Sequence, residues 1–285
     1  MKVIESISEM QKYSESLRRK GEIISFVPTM GYFHDGHLNL MKEGKQRSDC
    51  VVTSIYVNPT QFGPGEDFEK YPRDLERDAG LARGVGVDVI FTPSNTDMYP
   101  ENYQSYLNVE ETTKNLCGLT RPGHFRGVTT ICLKLFNIVK PHVTIFGKKD
   151  YQQFVTIKRM VQDINLDLEV VGLDTTREAD GLAMSSRNVY LKGPERESAL
   201  CLSRSLVMAK DLYDKGVRDA EAIIETVIKN VDSYPYTAVD YVKICETKNL
   251  RDIKNIDAEA VIALAVKVGK TRLIDNYVFG EKLNL

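Results

Sequence analysis

The sequence predicts an α/β protein, built from a helix-covered parallel sheet followed by a smaller C-terminal α+β domain. Three observations carry that expectation. Short β-branched runs alternate with segments of helical periodicity as far as about Gly172. The run Cys50-Val51-Val52-Thr53-Ser54-Ile55-Tyr56-Val57 is almost continuously apolar, as a strand covered on both faces must be. Beyond Gly193-Pro194 the order changes to helices followed by consecutive strands. A chain of 285 residues exceeds the usual size of one domain, so residues 1–176 are assigned to a Rossmann-like domain and residues 177–285 to a smaller lid.

In chain order, Ile7, Met10 and Leu17 mark an amphipathic first helix, with Gly21 placed to end it. Ile23 to Val27 then reads as a strand, and Leu38 to about Ser48 as a helix. After the strand from Cys50, a helix is expected near Arg73 to Arg83, stopped by Gly84-Val85-Gly86, and a strand over Val87 to Phe91. The polar region from Pro93 to Gly123 is expected to hold a hairpin around Tyr103 to Val109 and to be functional or mobile. A helix over Val128 to Val139, a strand over His142 to Phe146, a helix from about Tyr151 and a strand over Leu168 to Gly172 complete a sheet of about five parallel strands. In the second region, helices over Glu195 to Tyr213 and Ala220 to Val231 precede strands over Val239 to Ile244, Val261 to Val268 and Arg272 to Val278.

Composition narrows the function. The chain is 42% hydrophobic and 27% charged with a formal net charge of -2, so no overall basic field exists to hold nucleic acid or a membrane surface. Any anion site must be built locally. The five cysteines are scattered without a Cys-x-x-Cys pair, which suggests buried thiols and neither zinc nor disulfides. Met1 to Glu5 lacks the apolar core of a signal peptide, and the longest apolar run, Ala260 to Val266, is too short to span a bilayer, so a cytoplasmic location is expected.

Two stretches have the order strand, turn, helix start. Pro28-Thr29-Met30-Gly31-Tyr32-Phe33-His34-Asp35-Gly36-His37 brings two imidazoles three residues apart onto the first turn of a helix, whose free N–H groups and partial positive charge suit phosphate. Two exposed histidines beside a turn is the competing reading. Gly147-Lys148-Lys149-Asp150-Tyr151-Gln152-Gln153 repeats the arrangement with a lysine in place of the imidazoles and an acid able to hold ribose hydroxyls; a solvated turn competes with it. Asn58 and Gln61 follow the second buried strand, where open α/β sheets place ligands, although turn capping suits Asn58 better. Arg121, His124 and Arg126 either bind substrate oxygens or pair locally. Met184-Ser185-Ser186-Arg187 offers closely spaced donors to a triphosphate.

These stretches, together with Val57-Asn58-Pro59-Thr60-Gln61-Phe62 and Arg121-Pro122-Gly123-His124-Phe125, closely resemble the pantoate–β-alanine ligases, the pantothenate synthetase family of the nucleotidyltransferase superfamily, over almost the whole length. The resemblance implies ligation of pantoate and β-alanine with ATP through pantoyl adenylate, with magnesium and a homodimer. It implies that His34 and His37 contact phosphates, His37 also assisting departure of pyrophosphate, and that Lys149, Ser185, Ser186 and Arg187 hold the triphosphate. ATP would be bordered by Met30, Gly31, Tyr32, Phe33, Asp35, Gly36, Gly147, Lys148, Thr176 and Met184, with Asp150 at its ribose. Pantoate would meet Gln61 and Gln153, with Asn58, Tyr71 and Arg121 as weaker candidates; magnesium ligands are not assigned. Lys148 stands where the family commonly has glutamate, Thr176 where valine is common, and Tyr32-Phe33 are bulkier than usual. A hinge near Arg177 to Arg187 would let the lid close over nucleotide.

Overall fold

A computed structural model describes residues 1–284. The chain forms two compact units, the first made of Met1–Glu110, Gly118–Lys148 and Thr156–Leu173, the second of Glu111–Cys117, Lys149–Val155 and the chain from Asp174 onward. Two short segments that chain order places in the first region thus pack with the second.

The first unit is built on β1 (Lys2–Ile4), β2 (Ile24–Thr29), β3 (Cys50–Ile55), β4 (Val89–Phe91), β5 (Val143–Gly147) and β6 (Glu169–Leu173). These form one parallel sheet in the order β1-β4-β3-β2-β5-β6. The sheet has six strands where five were expected. β1 escapes sequence reading because three residues carry no periodicity; its place at the sheet edge comes from pairing Lys2 with Val89 and Ile4 with Phe91. Winding reverses between β2 and β5, so the carboxyl ends of those strands mark the crevice where such folds bind ligands.

The helices are α1 (Ile7–Arg19), α2 (Asp35–Arg47), α3 (Leu75–Gly84), α4 (Asn95–Met98), α5 (Cys117–Thr120), α6 (His124–Val139) and α7 (Tyr151–Asp163). Ser6 caps α1 by accepting from the Glu9 N–H, and Gly21, at φ 77°, closes it as the sequence suggested. α2 buries Leu38, Met41 and Gly44 on one face. A Cβ on Gly44 would lie 2.8 Å from Ser25 Oγ and 3.3 Å from Ile145 Cδ1, so glycine sets how closely α2 lies on the sheet. Val27, Phe33, Val51, Ile90 and Ile145 fill the core beneath it.

Two expectations for this unit are corrected. Tyr103 to Val109 forms no hairpin; Leu107 donates its N–H to Thr130 Oγ1 at 3.0 Å and accepts from Thr129 Oγ1 at 2.7 Å, so α6 hydroxyls satisfy backbone that a second strand would have paired. α6 begins at His124, four residues earlier than expected, because Gly123 at φ 83° precedes it and lets the helix start at once. His124 and Arg126 therefore lie inside the helix.

In the second unit, α8 (Pro194–Ser198), α9 (Cys201–Asp214) and α10 (Ala220–Asp232) precede β7 (Thr237–Glu246), β8 (Ala260–Val268) and β9 (Thr271–Val278), an antiparallel sheet in that order. The expected helix from Glu195 to Tyr213 is two helices, separated at Ala199-Leu200. Leu202, Leu206, Ile223 and Val227 pack on one face of the sheet against Ile262, Leu264 and Val266. Leu116 and Val155 cover the other face with Val261 and Ala263, which explains why β8 is apolar on both sides. Buried Gln152 pins the covering segment: its side chain accepts from the Cys117 N–H at 2.9 Å and donates to the carbonyls of Thr112 and Asn115 at 2.9 and 2.7 Å.

All five cysteines are free and buried. No helix among the described residues is long and apolar enough to cross a membrane. Gly44→Ala should destabilise the protein by about 1–3 kcal/mol through overpacking; a urea midpoint equal to that of the unsubstituted protein would show that α2 lifts without cost.

Candidate functional site

β2 extends through Thr29, whose hydroxyl donates to Ser54 O at 2.5 Å and accepts from the Gly31 N–H at 3.2 Å. The chain then turns through two left-handed residues, Gly31 at φ 85° and Tyr32 at φ 52°, before His34 takes the extended conformation that opens α2. Glycine is required at the first of these: a Cβ there would stand 2.9 Å from Ile55 Cγ2 and 3.0 Å from Asp78 Oδ2. Tyr32 is not glycine, so its conformation must be held from outside.

Asp78, on α3 and only 1% exposed, does the holding. Its carboxylate accepts from the N–H groups of Tyr32 at 2.5 Å and Phe33 at 2.8 Å. Arg77 reinforces both ends, pairing with Asp78 at 3.2 Å and donating to Phe33 O at 2.8 Å while its guanidinium lies over the Tyr32 ring. Burial raises the Asp78 pKa, opposed by the two backbone N–H groups and by Arg77. Sequence reading missed this acid. Its signal was a carboxylate four residues before Ala82 on the buried face of α3.

Phe33, fully buried, anchors the turn beneath the histidines. The His34 and His37 rings lie 4.1 Å apart at 37°, and the His37 ring also meets Phe33 at 5.6 Å. His37 Nδ1 accepts from the His34 N–H at 3.4 Å, a hydrogen-bond network that assigns the neutral ring its proton on Nε2. Met30, Tyr32 and Gly36 are partly exposed around the pair, Gly31 is buried, and Asp35 is exposed on the first turn of α2.

A second group of predicted residues lies in the same unit. Asn58 is 1% exposed, and its amide donates to Gly127 O at 3.2 Å and Gln61 Oε1 at 3.1 Å while accepting from Thr60 and Tyr99 hydroxyls. It supports the loop, as its turn chemistry suggested. That support leaves Gln61 Nε2 directed to Met30 Sδ at 3.2 Å, so the structure brings these two candidates together. Gln61 O accepts from His124 Nδ1 at 2.8 Å and Arg121 Nη2 at 3.3 Å. Arg121 grips Glu66 through two 2.6 Å contacts and touches His124 Nε2 at 3.1 Å. Burial raises the Glu66 pKa, but the Arg121 hydrogen bonds and charge outweigh it, so the net shift is downward. Tyr71 is buried, its ring in a T-shaped contact with Phe62 at 6.2 Å.

Gly127 was also missed. A Cβ there would stand 2.3 Å from Thr60 O and 2.7 Å from Gln61 N, so its absence allows α6 to lie against the backbone that carries Gln61. Beside it is a cavity of about 200 Å³ lined by Thr60, Phe62, Tyr106, His124 and Arg126.

In the second unit, Lys149 lies in a 3-10 turn over Lys148–Asp150, with Nζ 3.8 Å from Asp150 Oδ2. Ser185 Oγ accepts from the Arg187 N–H at 3.2 Å and opens a short 3-10 helix over Ser186–Tyr190. Met184 N–H donates to Thr176 O at 2.9 Å, which ties two more candidates together. Gln153 is partly exposed, whereas the adjacent Gln152 is consumed in the core contacts described above. No group of three or more His, Cys, Asp or Glu side chains able to hold a metal occurs among the described residues.

The pantoate–β-alanine ligase family model matches residues 2–278. The chain belongs to this family. Pantothenate synthetase of Syntrophus aciditrophicus is 67% identical over all 285 residues, covering 100% of both chains. A crystal structure of the Thermus thermophilus synthetase superposes with a TM-score of 0.92 at 40% identity, covering 97% of this chain and 99% of that one. The Francisella tularensis ligase, complexed with β-γ ATP and β-alanine, superposes with a TM-score of 0.81 at 34% identity, covering 98% and 97%. The six-stranded parallel sheet and separate antiparallel sheet described above are therefore the fold of family members.

Asp78→Asn retains one acceptor but turns an amide N–H toward a backbone N–H. It should cost about 1.5–3 kcal/mol, the range for hydrogen bonds to a charged group, and should slow turnover beyond any loss of folded protein; normal turnover per folded molecule would remove Asp78 from the site. Gly127→Ala should raise the KM for the carboxylate substrate several-fold, roughly the effect of about 1 kcal/mol of displaced contact. An unchanged KM would show that Gln61 does not depend on that approach.

Proposed function

We infer that the protein ligates pantoate to β-alanine at the expense of ATP. The observation that carries this is the family match over residues 2–278, joined to a held turn that presents His34 and His37 at the start of α2. A carboxylate oxygen of pantoate attacks the α-phosphorus, the bond to the β-phosphate breaks, and pyrophosphate leaves. The β-alanine amine then attacks the acyl carbon of pantoyl adenylate, loses a proton, and expels AMP. Both steps need positioned donors and no covalent enzyme intermediate.

The residue roles follow from chemistry and from the family motifs. His37 offers Nε2–H to a phosphate oxygen in its neutral form, with His34 stacked beside it. The two rings lie 4.1 Å apart, close enough for both to face one phosphate group. Lys149, Ser185, Ser186 and Arg187 supply charge and hydroxyl donors to the triphosphate; Asp150 suits the ribose. Met30, Gly31, Tyr32, Phe33, Asp35, Gly36, Gly147, Lys148, Thr176 and Met184 border the nucleotide. Gln61 and Gln153 bind pantoate, with Asn58, Tyr71 and Arg121 shaping and supporting that region. Magnesium would accompany ATP and share the neutralisation of phosphate charge with Lys149 and Arg187. Residence in the cytoplasm and assembly as a homodimer complete the proposal.

An assay with ATP, pantoate and β-alanine, each omitted in turn, should give AMP and pyrophosphate only with pantoate and pantothenate only with all three. Nucleotide retained in a phosphate-linked product would overturn ligation. His37→Ala and Lys149→Ala should each slow adenylate formation by about 10²–10³-fold, the usual cost of removing one transition-state donor, with smaller effects on ATP binding. Normal single-turnover rates would dismiss those roles, and sedimentation as a monomer at working concentration would refute the dimer.

A further inference from the structure

Within the second unit, Lys149 and the Ser185–Arg187 segment are far apart in sequence but depend on adjacent residues of one strand. Successive side chains of a strand point to opposite faces. On β9, Asp275 lies opposite Leu264 and Asn276 opposite Ala263, so the pair reaches both faces of the sheet.

On one face, Asp275 holds Arg177 through a bidentate ion pair, Nη1–Oδ2 at 2.6 Å and Nη2–Oδ1 at 3.0 Å, with side-chain exposures of 0% and 5% respectively. Arg177 Nη1 also donates to Gly181 O at 3.1 Å, and Arg177 bridges Ala183 through the backbone. Glu178 N–H to Leu182 O and Met184 N–H to Thr176 O complete a closed loop that delivers the chain to Ser185. On the other face, Asn276 Nδ2 donates to Lys149 O at 2.7 Å and fixes the backbone of the 3-10 turn.

We propose that Asp275 and Asn276 are positioning residues that set the spacing of Lys149 from Ser185, Ser186 and Arg187 and so match these groups to a nucleotide triphosphate. The inference rests on the functional reading above. A buried bidentate pair resists both lateral shift and rotation of its partner, which gives the loop one geometry. Asn276 does the same for the lysine turn. Both partners lie on one strand, so the spacing is fixed by covalent geometry.

The test is single-turnover kinetics of the full chain with D275N and N276A. Pantoate-dependent pyrophosphate release reports the first step. Pantothenate release from supplied pantoyl adenylate and β-alanine reports the second, which no longer involves the β- and γ-phosphates. The expected result is a first step slowed by about 10- to 100-fold, the effect of a displacement near 1 Å, with the second step unchanged. N276A keeps the test open if D275N fails to fold, since it leaves the buried ion pair intact. An unchanged first step in folded N276A, or equal losses in both steps, would overturn the proposal. Absence of pantoate-dependent pyrophosphate release from the unsubstituted protein would instead overturn the functional reading, and this one with it.

Discussion

The Asp78 carboxylate, buried and shared between the N–H groups of Tyr32 and Phe33, is the constraint on which the histidine-bearing turn depends. A turn with two successive left-handed residues, one of them tyrosine, has no intrinsic preference for its shape. An acceptor with two oxygens and no hydrogen supplies that preference, and Arg77 offsets part of the cost of burying its charge. Everything downstream inherits the geometry. Phe33 enters the core, His34 becomes the N-cap residue of α2, and His37 arrives one turn later against its neighbour's ring.

The same logic governs the loop after β3. Asn58 is buried and satisfied on both ends of its amide, so Gln61 inherits a fixed orientation. Gly127 lets α6 reach the backbone of Thr60 and Gln61, while His124 and Arg121 hold the Gln61 carbonyl. In both places the residue proposed to meet ligand is positioned by another that lies behind it. Catalytic geometry of this kind is set by packing and by buried hydrogen bonds before any substrate arrives.

The sequence made some of this legible and hid the rest for identifiable reasons. Continuous apolar runs announced β3 and β5, and the change of pattern after Gly193 announced the second unit, because burial on both faces leaves a compositional mark. The histidine pair, Gln61 and the Lys149 turn were visible because side chains of those types at the start of a helix or beyond a strand have few reasons to be there. β1 is too short to show a period, and the segment around Tyr103 reads as a hairpin because nothing in its residues reveals that Thr129 and Thr130 pair its backbone. Asp78, Gly127, Arg177 and Asp275 were hidden because the contacts that define their roles are with residues 45 to 98 positions away. The family resemblance proposes which groups meet ligands, whereas the structure identifies what holds those groups.

The central chemical claim is that pantoate is activated as a mixed anhydride with AMP, and isotope transfer tests it most directly. With both carboxylate oxygens of pantoate labelled with oxygen-18, attack on the α-phosphorus followed by cleavage of the acyl–oxygen bond must carry one labelled oxygen into AMP. Mass analysis of the nucleotide product should show AMP containing a single oxygen-18 and unlabelled pyrophosphate. Unlabelled AMP, or label appearing in inorganic phosphate alongside ADP, would contradict the account.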